Sequence, residues 1–322
     1  MPVSTATGDE ALVAVLGQPP GLTLLSAAVV DLAAAQPVRF ADLGATNRTR
    51  YEAGSLTKAM TGLAVADAVT RGELGLADQV GSHLALGTGG PSQVTLRQLV
   101  THHGGYPRLG RKTFRRGWIT ALTGGNPYTT SLPGTLAEAQ RARLSAPGHY
   151  AYSNLGAAVA GQATAAAAGV GYPELMRRRV FAPIGMQDTA IAERDLVPAG
   201  HSATGRRVAP WVMHGYAPAG GMVTTSADLA TLAEAVLTGR APGLSALDPL
   251  AGTDDAKTSI GVFWHISTQP QQQRTICWHN GQTGGYSSFF GIDRARRRAV
   301  VLLSDLAAPL DPIGVRLLTQ PV

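Results

Sequence analysis

The chain has 322 residues, of which 44% are hydrophobic and only 15% are charged, with a net charge of +6. This is the composition of a globular protein with a sizeable core, and the length is within reach of one large α/β unit. Nucleic-acid binding requires a clustered basic face with interleaved aromatic residues. The basic excess here is thin and scattered, so we expect no nucleic-acid partner.

Three features of the sequence bear on its location. The first ten residues, MPVSTATGDE, contain no basic region followed by an apolar run, and the apolar stretch 22–35 is too short to span a bilayer. The single cysteine, Cys277, excludes an intrachain disulfide. We therefore expect a cytoplasmic protein without a membrane partner.

Hydrophobic patterning predicts the elements of the first two thirds of the chain. They are a helix at 8–17, strands at 22–32 and 37–44, and helices at 55–71, 154–168 and 172–180. Between 75 and 200 the sequence is mainly helical, interrupted by Gly/Pro-rich loops at 87–91, 104–110 and 124–134.

From residue 258 the pattern changes to strands. Strand-like segments with turn signals between them, as in an antiparallel meander, occupy 258–268, 274–280, 284–293 and 297–306. The basic run 294–298 is interpreted as a solvated hairpin turn, and 311–319 as a closing helix that packs near the N-terminus. Two early strands and about three late ones predict one sheet with a helical insertion between them.

The first candidate motif is Ser55-Leu56-Thr57-Lys58, at the predicted start of a long helix. Residues three apart share one helix face, so the hydroxyl and the amine can meet. A desolvated lysine with a lowered pKa can accept the serine proton, and the helix N-terminus favours negative charge there. Only three of the 27 basic residues are lysines, and arginine cannot give up its proton, which makes Lys58 a candidate base. The alternative is a surface lysine on an ordinary helix.

The second motif is Tyr152-Ser153-Asn154, between a Pro-Gly turn and an Ala-rich helix. A tyrosine can relay a proton when nearby cations lower its pKa, and an asparagine amide can hold a substrate carbonyl. The alternative interpretation is an asparagine helix cap beside a packed tyrosine.

The third motif is His279-Asn280-Gly281, followed by Gln282, where a strand ends among glycines. Glycine allows the backbone to approach a ligand closely, and an exposed edge N–H can complete an oxyanion hole. A plain glycine-rich hairpin turn is the alternative.

Together, in this order and spacing, the motifs resemble those of the penicillin-recognising serine hydrolases. This family includes class C β-lactamases, D-alanyl-D-alanine carboxypeptidases and related esterases, with signatures Ser-x-x-Lys, Tyr-x-Asn and a third triad of Lys-Thr-Gly or His-x-Gly type. The segments LVTHHGG at 99–105, FAPIGM at 181–186 and PAGGM at 218–222 also resemble family sequences. The resemblance covers about residues 50 to 292.

The resemblance implies a β-lactamase/transpeptidase-like α/β (α+β) fold, with an antiparallel sheet flanked by helices and an inserted, mainly helical domain. We expect the sheet domain at 1–74 and 200–322 and the insertion at 75–199. No metal and no organic cofactor are implied.

It also implies the roles of individual residues. Ser55 would attack the acyl carbon, Lys58 would support its deprotonation, and Tyr152 would shuttle a proton to the leaving group. The implied substrate-binding residues are Asn154, which would orient the substrate amide, His279 and Gly281 on the far wall of the cleft, and Gln282, whose N–H would form the oxyanion hole with that of Ser55.

The third triad departs from the family pattern, since His-Asn-Gly has neither the Lys nor the Thr used near a substrate carboxylate. With no visible export signal, this favours an intracellular esterase, amidase or acyltransferase. We expect hydrolysis of a small-molecule ester or amide through acylated Ser55. The alternatives are acyl transfer to an amine or alcohol in a biosynthetic pathway, and a ligand sensor that acylates once and stalls.

Other candidate residues are the histidines and four aromatic residues. A metal-dependent hydrolase is disfavoured, because the eight histidines form no metal-binding motif and the adjacent His102 and His103 cannot share a helix face. If the family layout holds, loops facing the cleft carry Trp118, Tyr128, Trp211 and Tyr286.

Overall fold

The computed structural model describes residues 5–17, 23–269 and 273–320. Its strands are β1 (Ala6–Gly8), β2 (Leu25–Asp31), β3 (Val38–Leu43), β4 (Tyr51–Glu52), β5 (Ala190–Ile191), β6 (Gly200–His201), β7 (Arg207–Val208), β8 (Met222–Thr224), β9 (Ala251–Gly252), β10 (Thr258–Ile260), β11 (His265–Gln269), β12 (Arg274–Gln282), β13 (Ser287–Asp293) and β14 (Arg298–Ser304). Its α-helices are α1 (Glu10–Leu16), α2 (Leu56–Thr70), α3 (Gly90–Gln93), α4 (Leu96–Val100), α5 (Arg111–Thr123), α6 (Leu132–Gln140), α7 (Asn154–Ala167), α8 (Tyr172–Met176), α9 (Ala182–Ile184), α10 (Ala217–Gly220), α11 (Ser226–Leu237) and α12 (Asp311–Thr319). Short 3₁₀ turns lie at Val80–Ser82, His214–Tyr216 and Leu244–Leu247, and a π-helical turn at Arg177–Phe181.

A nine-stranded antiparallel sheet forms the centre of the protein, in the order β1-β3-β2-β14-β13-β12-β11-β10-β9. The N-terminal strand β2 pairs with the C-terminal strand β14, with Ala28 opposite Val301. Strands β13 and β14 are almost wholly buried, because both faces of the sheet are covered, and the continuous apolar run 299–303 of β14 is typical of such a strand.

Helices cover the two faces of this sheet. On one face, Val300 and Leu302 of β14 pack with Leu12 of α1 and Leu317 of α12. On the other, Val301 belongs to the larger core that includes α2, α7 and α11. Because successive side chains of a strand point to opposite faces, one apolar strand supplies both cores.

Helix α2 lies inside this larger core, and every residue from Leu56 to Ala66 is buried. It begins directly after β4, which is held in a small three-stranded sheet with β8 and β5. The start of α2 is therefore fixed between the small sheet and the large one.

The region between α2 and β5 is mainly helical, as predicted. Its helix α7 packs against α2 and α10, and Leu155 of α7 shares one continuous hydrophobic core with Leu63 of α2. The division into a sheet domain at 1–74 and 200–322 and an insertion at 75–199 stays a prediction.

Most predicted elements are confirmed, including the helix at 55–71, the closing helix at 311–319 and the hairpin turn at 294–298, which joins β13 to β14. The predicted strand 22–32 begins outside the described residues and corresponds to β2. The predicted number of strands is wrong, because β1, β9 and β10 are too short to show a pattern. In addition, the segment 258–268 is divided into two strands by a turn at Phe263, whose φ is 63°. In the described ranges, no helix has both the length and the apolar character needed to cross a bilayer.

Candidate active site

Ser55 lies where the chain passes from β4 into α2. It is the only residue from Tyr51 to Ala66 in this described stretch that is not buried. A serine in this position commonly caps the helix with its hydroxyl, but Ser55 makes no capping hydrogen bond. Thr57 Oγ1 instead donates to Gly54 O at 2.7 Å. The Ser55 hydroxyl is therefore available for chemistry.

Lys58 lies one turn further along α2 and is completely buried. Its Nζ is 3.0 Å from Ser55 Oγ and 2.6 Å from Ala219 O. Burial lowers the pKa of the Lys58 amine well below its ordinary value, and the Arg108 guanidinium lowers it further. Since burying an unpaired ammonium is costly, the neutral amine is favoured. A neutral amine can donate to Ala219 O while its lone pair faces the Ser55 hydroxyl.

Tyr152 lies beside both residues. Its ring centroid is 4.8 Å from Lys58 Nζ and 5.2 Å from Arg108 Cζ. Burial raises the pKa of the Tyr152 phenol above its ordinary value, against smaller opposite effects of Ser55 and Arg108. Arg108 does lower this pKa, as predicted for a nearby cation, but the larger effect of burial makes the net shift upward. The raised pKa favours the protonated phenol at neutral pH.

Asn154 is buried at the start of helix α7. The helix cap is Ser153, whose Oγ accepts from Gly156 N at 2.8 Å, so Asn154 is not the cap. The Asn154 Nδ2 donates to Tyr128 Oη at 2.9 Å. Its buried Oδ1 has no hydrogen-bond partner among the described residues, which is uncommon for a buried acceptor. An amide N–H of a substrate is the kind of partner that this oxygen lacks.

Strand β12 passes directly against the turn that holds Ser55. A Cβ added to Gly281 would lie 2.0 Å from Ala53 O. A Cβ added to Gly54, whose φ is 52°, would lie 2.7 Å from Gln282 N. Both contacts are too close for any side chain, so these two glycines allow the main chains of Ser55 and Gln282 to lie side by side.

Three histidines lie close to Lys58. His265 lines the cleft, whereas His279 is buried behind it, with 5.3 Å between their ring centroids. Burial lowers the pKa of His265 to about 4. Burial likewise lowers the pKa values of His102 and His279 well below the ordinary value. All three are neutral, and no group of His, Cys, Asp or Glu in the described part of the chain could hold a metal ion.

The cleft that contains Ser55 and Tyr152 has a volume of about 500 Å³. One wall consists of 280–283, at and just after the end of β12, together with the segment 309–311. This wall is tied to the C-terminal segment, since Asn280 Nδ2 donates to Asp311 Oδ1 at 2.7 Å. Gly281 and Gln282 therefore lie on the cleft wall, whereas His279 lies in the layer behind it.

The four aromatic residues proposed for the cleft have different positions. Trp211 lines the cleft, and Tyr128 lies behind it, with 5.3 Å between the ring centroids. Tyr286 is buried and donates to Pro198 O at 2.7 Å. The prediction for Trp118 is wrong, because it lies in helix α5 with 69% of its surface exposed.

Three residues of the site were not predicted. Arg108 lies in a predicted loop and His265 in a predicted strand, and only the fold brings them to Tyr152 and Lys58. Glu52 is buried three residues before Ser55 and accepts a hydrogen bond from Trp211 N. Burial raises the pKa of Glu52 to about 7. In the sequence, the one signal for Glu52 is an acidic residue between Tyr51 and Ala53, close to the Ser55 motif.

An antiparallel sheet between helices, with a serine, a buried lysine and a tyrosine at one cleft, is the arrangement of a serine hydrolase. The family model described as beta-lactamase matches residues 18–316. The chain therefore belongs to the beta-lactamase family. Comparison with curated protein sequences finds no match.

Solved structures share the fold over nearly the whole chain. The class C beta lactamase from Rhodobacter sphaeroides is 18% identical, with a TM-score of 0.77 over 94% of this chain and 95% of that chain. A second class C beta-lactamase is 17% identical, with a TM-score of 0.80 over 97% and 96%. The octameric penicillin-binding protein homologue from Pyrococcus abyssi is 21% identical, with a TM-score of 0.76 over 92% and 72%. At these identities the likeness establishes the fold.

Proposed function

We propose that the protein hydrolyses a small-molecule ester or amide through an acyl-enzyme on Ser55. The observation that carries this proposal is the 3.0 Å contact between Ser55 Oγ and the completely buried Lys58 Nζ. A serine hydroxyl becomes a useful nucleophile when an adjacent group accepts its proton, and a desolvated lysine is such a group.

In the first half of the reaction, the neutral amine of Lys58 takes the proton of Ser55 as Oγ attacks the acyl carbon. Ala219 O holds the amine in place through one of its N–H bonds. The oxyanion accepts hydrogen bonds from the main-chain N–H groups of Ser55 and Gln282, which the close approach at Gly54 supports. The positive charge that then forms on Lys58 lies over the Tyr152 ring, at cation–π distance.

Departure of the leaving group requires a proton on its oxygen or nitrogen. Burial raises the pKa of the Tyr152 phenol, so the phenol keeps a proton that it can give to the leaving group, and the adjacent Lys58 ammonium can re-protonate it. Water in the open cleft then attacks the acyl carbon, with its proton passed back along the same groups. Asn154 Oδ1 is the candidate acceptor for an amide N–H of the substrate.

The substrate does not need a carboxylate in this scheme. The first residue of the third triad, His279, is neutral and lies behind the cleft wall, and it cannot pair with an anion as a lysine would. We keep the cytoplasm as the proposed location, since the single cysteine, Cys277, is buried and unpaired.

The test is turnover of a nitrophenyl ester and labelling by a fluorophosphonate, followed by intact mass. Ser55→Ala and Lys58→Ala are compared with Ser287→Ala, another serine of the cleft, and Lys257→Ala, an exposed lysine. We expect both signals to vanish in Ser55→Ala and to persist in the two controls. Robust turnover by Ser55→Ala would refute the proposal.

The same assay separates hydrolysis from its alternatives. Products are analysed with and without an added amine or alcohol acceptor. A free acid in both cases supports hydrolysis, whereas a product that forms only with the acceptor indicates an acyltransferase. A single burst of labelling without turnover indicates a ligand sensor.

A further inference from the structure

Helix α5 carries most of the large hydrophobic side chains that the protein exposes. Six such side chains are exposed in the described residues, and four of them lie in α5. Their exposed fractions are 53% for Phe114, 69% for Trp118, 65% for Ile119 and 80% for Leu122. Scattered single residues of this kind are normal on a protein surface, but a contiguous patch indicates an interaction site.

These side chains form one stripe. Phe114, Trp118 and Leu122 are spaced four residues apart and lie on the same helix face, with Phe114 and Trp118 in edge-to-face contact at 6.3 Å. The opposite face is anchored, since Thr113 is buried and its backbone N–H donates to Glu138 Oε1 at 2.9 Å. The helix is therefore fixed to the protein with its apolar stripe directed outwards.

The charges of α5 are all positive. The helix contains Arg111, Lys112, Arg115 and Arg116 and no acidic residue, and none of the four has an ion-pair partner in the described part of the chain. Arg111 and Lys112 lie in the first turn, where the helix dipole disfavours cations. Their position therefore does not stabilise the helix.

A basic groove adjoins the stripe. A cavity of about 610 Å³ between α5 and α6 is lined by Arg111, Lys112, Arg141 and Arg143, with Leu109 and Ala137 among its apolar residues. Its acidic residue, Glu138, already accepts hydrogen bonds from Thr113 and from Tyr216 Oη. The groove is thus a site for an anionic group next to an apolar one.

We propose that this face, the α5 stripe with its basic groove, docks on an anionic lipid bilayer surface. Bulky apolar side chains enter the boundary of the acyl chains, while arginine and lysine head groups reach the lipid phosphates, as in interfacial amphipathic helices. A second copy of the chain fits less well, because a two-fold contact would bring the four cations of each α5 together. An interfacial helix needs no spanning segment, so this proposal replaces the expectation of no membrane partner, which rested on the lack of one.

The docking face is connected to the cleft at both ends of α5. Arg108, which lines the cleft, is three residues before α5. At the other end, Arg206 Nη1 donates to Leu122 O at 2.8 Å, and the segment that follows leads to Trp211 of the cleft wall. Resting on the proposed function, this placement assigns amphiphilic esters or amides at the bilayer surface as the substrate class.

The test is co-sedimentation of the full chain with phosphatidylcholine vesicles, with and without phosphatidylglycerol. One variant combines Trp118→Ser with Leu122→Ser, and another combines Arg111→Gln with Arg115→Gln. The matched controls are Val315→Ser, an exposed apolar residue of α12, and Arg177→Gln with Arg178→Gln, two exposed arginines elsewhere. All changed side chains of α5 are exposed, so folding is preserved, which circular dichroism checks.

We expect binding to vesicles that contain phosphatidylglycerol, at least about tenfold weaker binding of both α5 variants, and unchanged binding of both controls. The Ser55→Ala protein is expected to bind like the wild type, so membrane docking and catalysis can fail separately. Wild-type protein that stays in the supernatant with phosphatidylglycerol vesicles would overturn the proposal. So would a lipid-free dimer that dissociates in the Trp118 and Leu122 variant, since α5 would then bind a second copy.

Discussion

The contact between β12 and the turn at Ser55 makes Gly281→Ala a sharp test of the site. The added Cβ would lie 2.0 Å from Ala53 O and 2.6 Å from Ser288 Oγ, whereas real Cβ contacts begin near 3.0 Å. The strand and the turn must therefore separate by about 1 Å. A displacement of about 1 Å between reacting groups costs about 100-fold in rate.

We expect Gly281→Ala to lower kcat/KM on a nitrophenyl ester by about 100-fold or more. The overpacked contact should also lower the free energy of unfolding by about 1–3 kcal/mol, measured by urea denaturation. The loss of activity comes from displacement of Gln282 away from Ser55, since Gly281 itself has no side chain that could react.

The matched control is Gly252→Ala, in strand β9 of the same sheet. A Cβ at Gly252 would have no other atom within 4 Å, so activity and unfolding should change little. Gly281→Ala protein that is folded and keeps kcat/KM within about threefold of wild type would refute the close approach of β12 to Ser55.

Three further predictions concern the protons of the site. Lys58→Met keeps the side-chain volume but removes the proton acceptor, so kcat/KM should fall by about 10²–10⁴-fold. Lys58→Arg should lose activity as well, because arginine keeps its proton, and near-wild-type kcat/KM in Lys58→Arg would contradict the base role. Because the pKa of Lys58 is held well below 10.5, the wild-type kcat/KM should reach its plateau far below that pH, and a rise only near pH 10 would contradict a neutral amine. Tyr152→Phe should slow turnover of an alkyl ester, whose alkoxide needs a proton to leave, more than fluorophosphonate labelling, because fluoride leaves without a proton from the phenol. Equal losses would count against a proton donor.

A fourth prediction concerns stability. Burial raises the pKa of Glu52 from 4.5 to about 7, so the folded state binds more protons than the unfolded state between these values, and stability falls as pH rises through this window. Glutamine does not titrate, so Glu52→Gln lacks this loss. As pH rises from about 4.5 to about 8, the free energy of unfolding of Glu52→Gln should therefore increase relative to that of the wild type by up to about 3 kcal/mol. The free energy of unfolding in urea is measured for both proteins at these two pH values. If Glu52→Gln differs from the wild type by the same amount at both, Glu52 does not bind a proton in the folded state.

Local patterns were sufficient to predict the helix at Ser55 and the late hairpins, because both depend on residues close in sequence. Spacing alone placed Lys58 one turn from Ser55, and the structure agrees. Strands β1, β9 and β10 were not predictable, because two or three residues are too few to show the alternation of apolar and polar side chains that indicates a strand. Their pairing also depends on partners that are distant in the sequence. The same limit applies to the site, where Arg108 and His265 approach Tyr152 and Lys58 only through the fold.

Burial also changed the expected chemistry in ways that residue types do not show. The cations near Tyr152 were expected to lower its pKa, but desolvation is the larger effect and has the opposite sign. His279 was expected on the cleft wall, but the alternation of β12 places Gln282 and Asn280 there and directs His279 inwards. Both outcomes depend on packing around the side chain, which spacing in the sequence does not specify.

The central claim, an acyl-enzyme on Ser55, is tested most directly by trapping the intermediate. A slowly hydrolysed ester is mixed with the protein, the reaction is quenched in acid, and the protein is digested and mapped by mass spectrometry. We predict a mass increase equal to the acyl group on the peptide that contains Ser55, and no increase in Ser55→Ala. An acyl group on any other residue, or steady turnover by the wild type with no acylated protein at any time, would contradict this account.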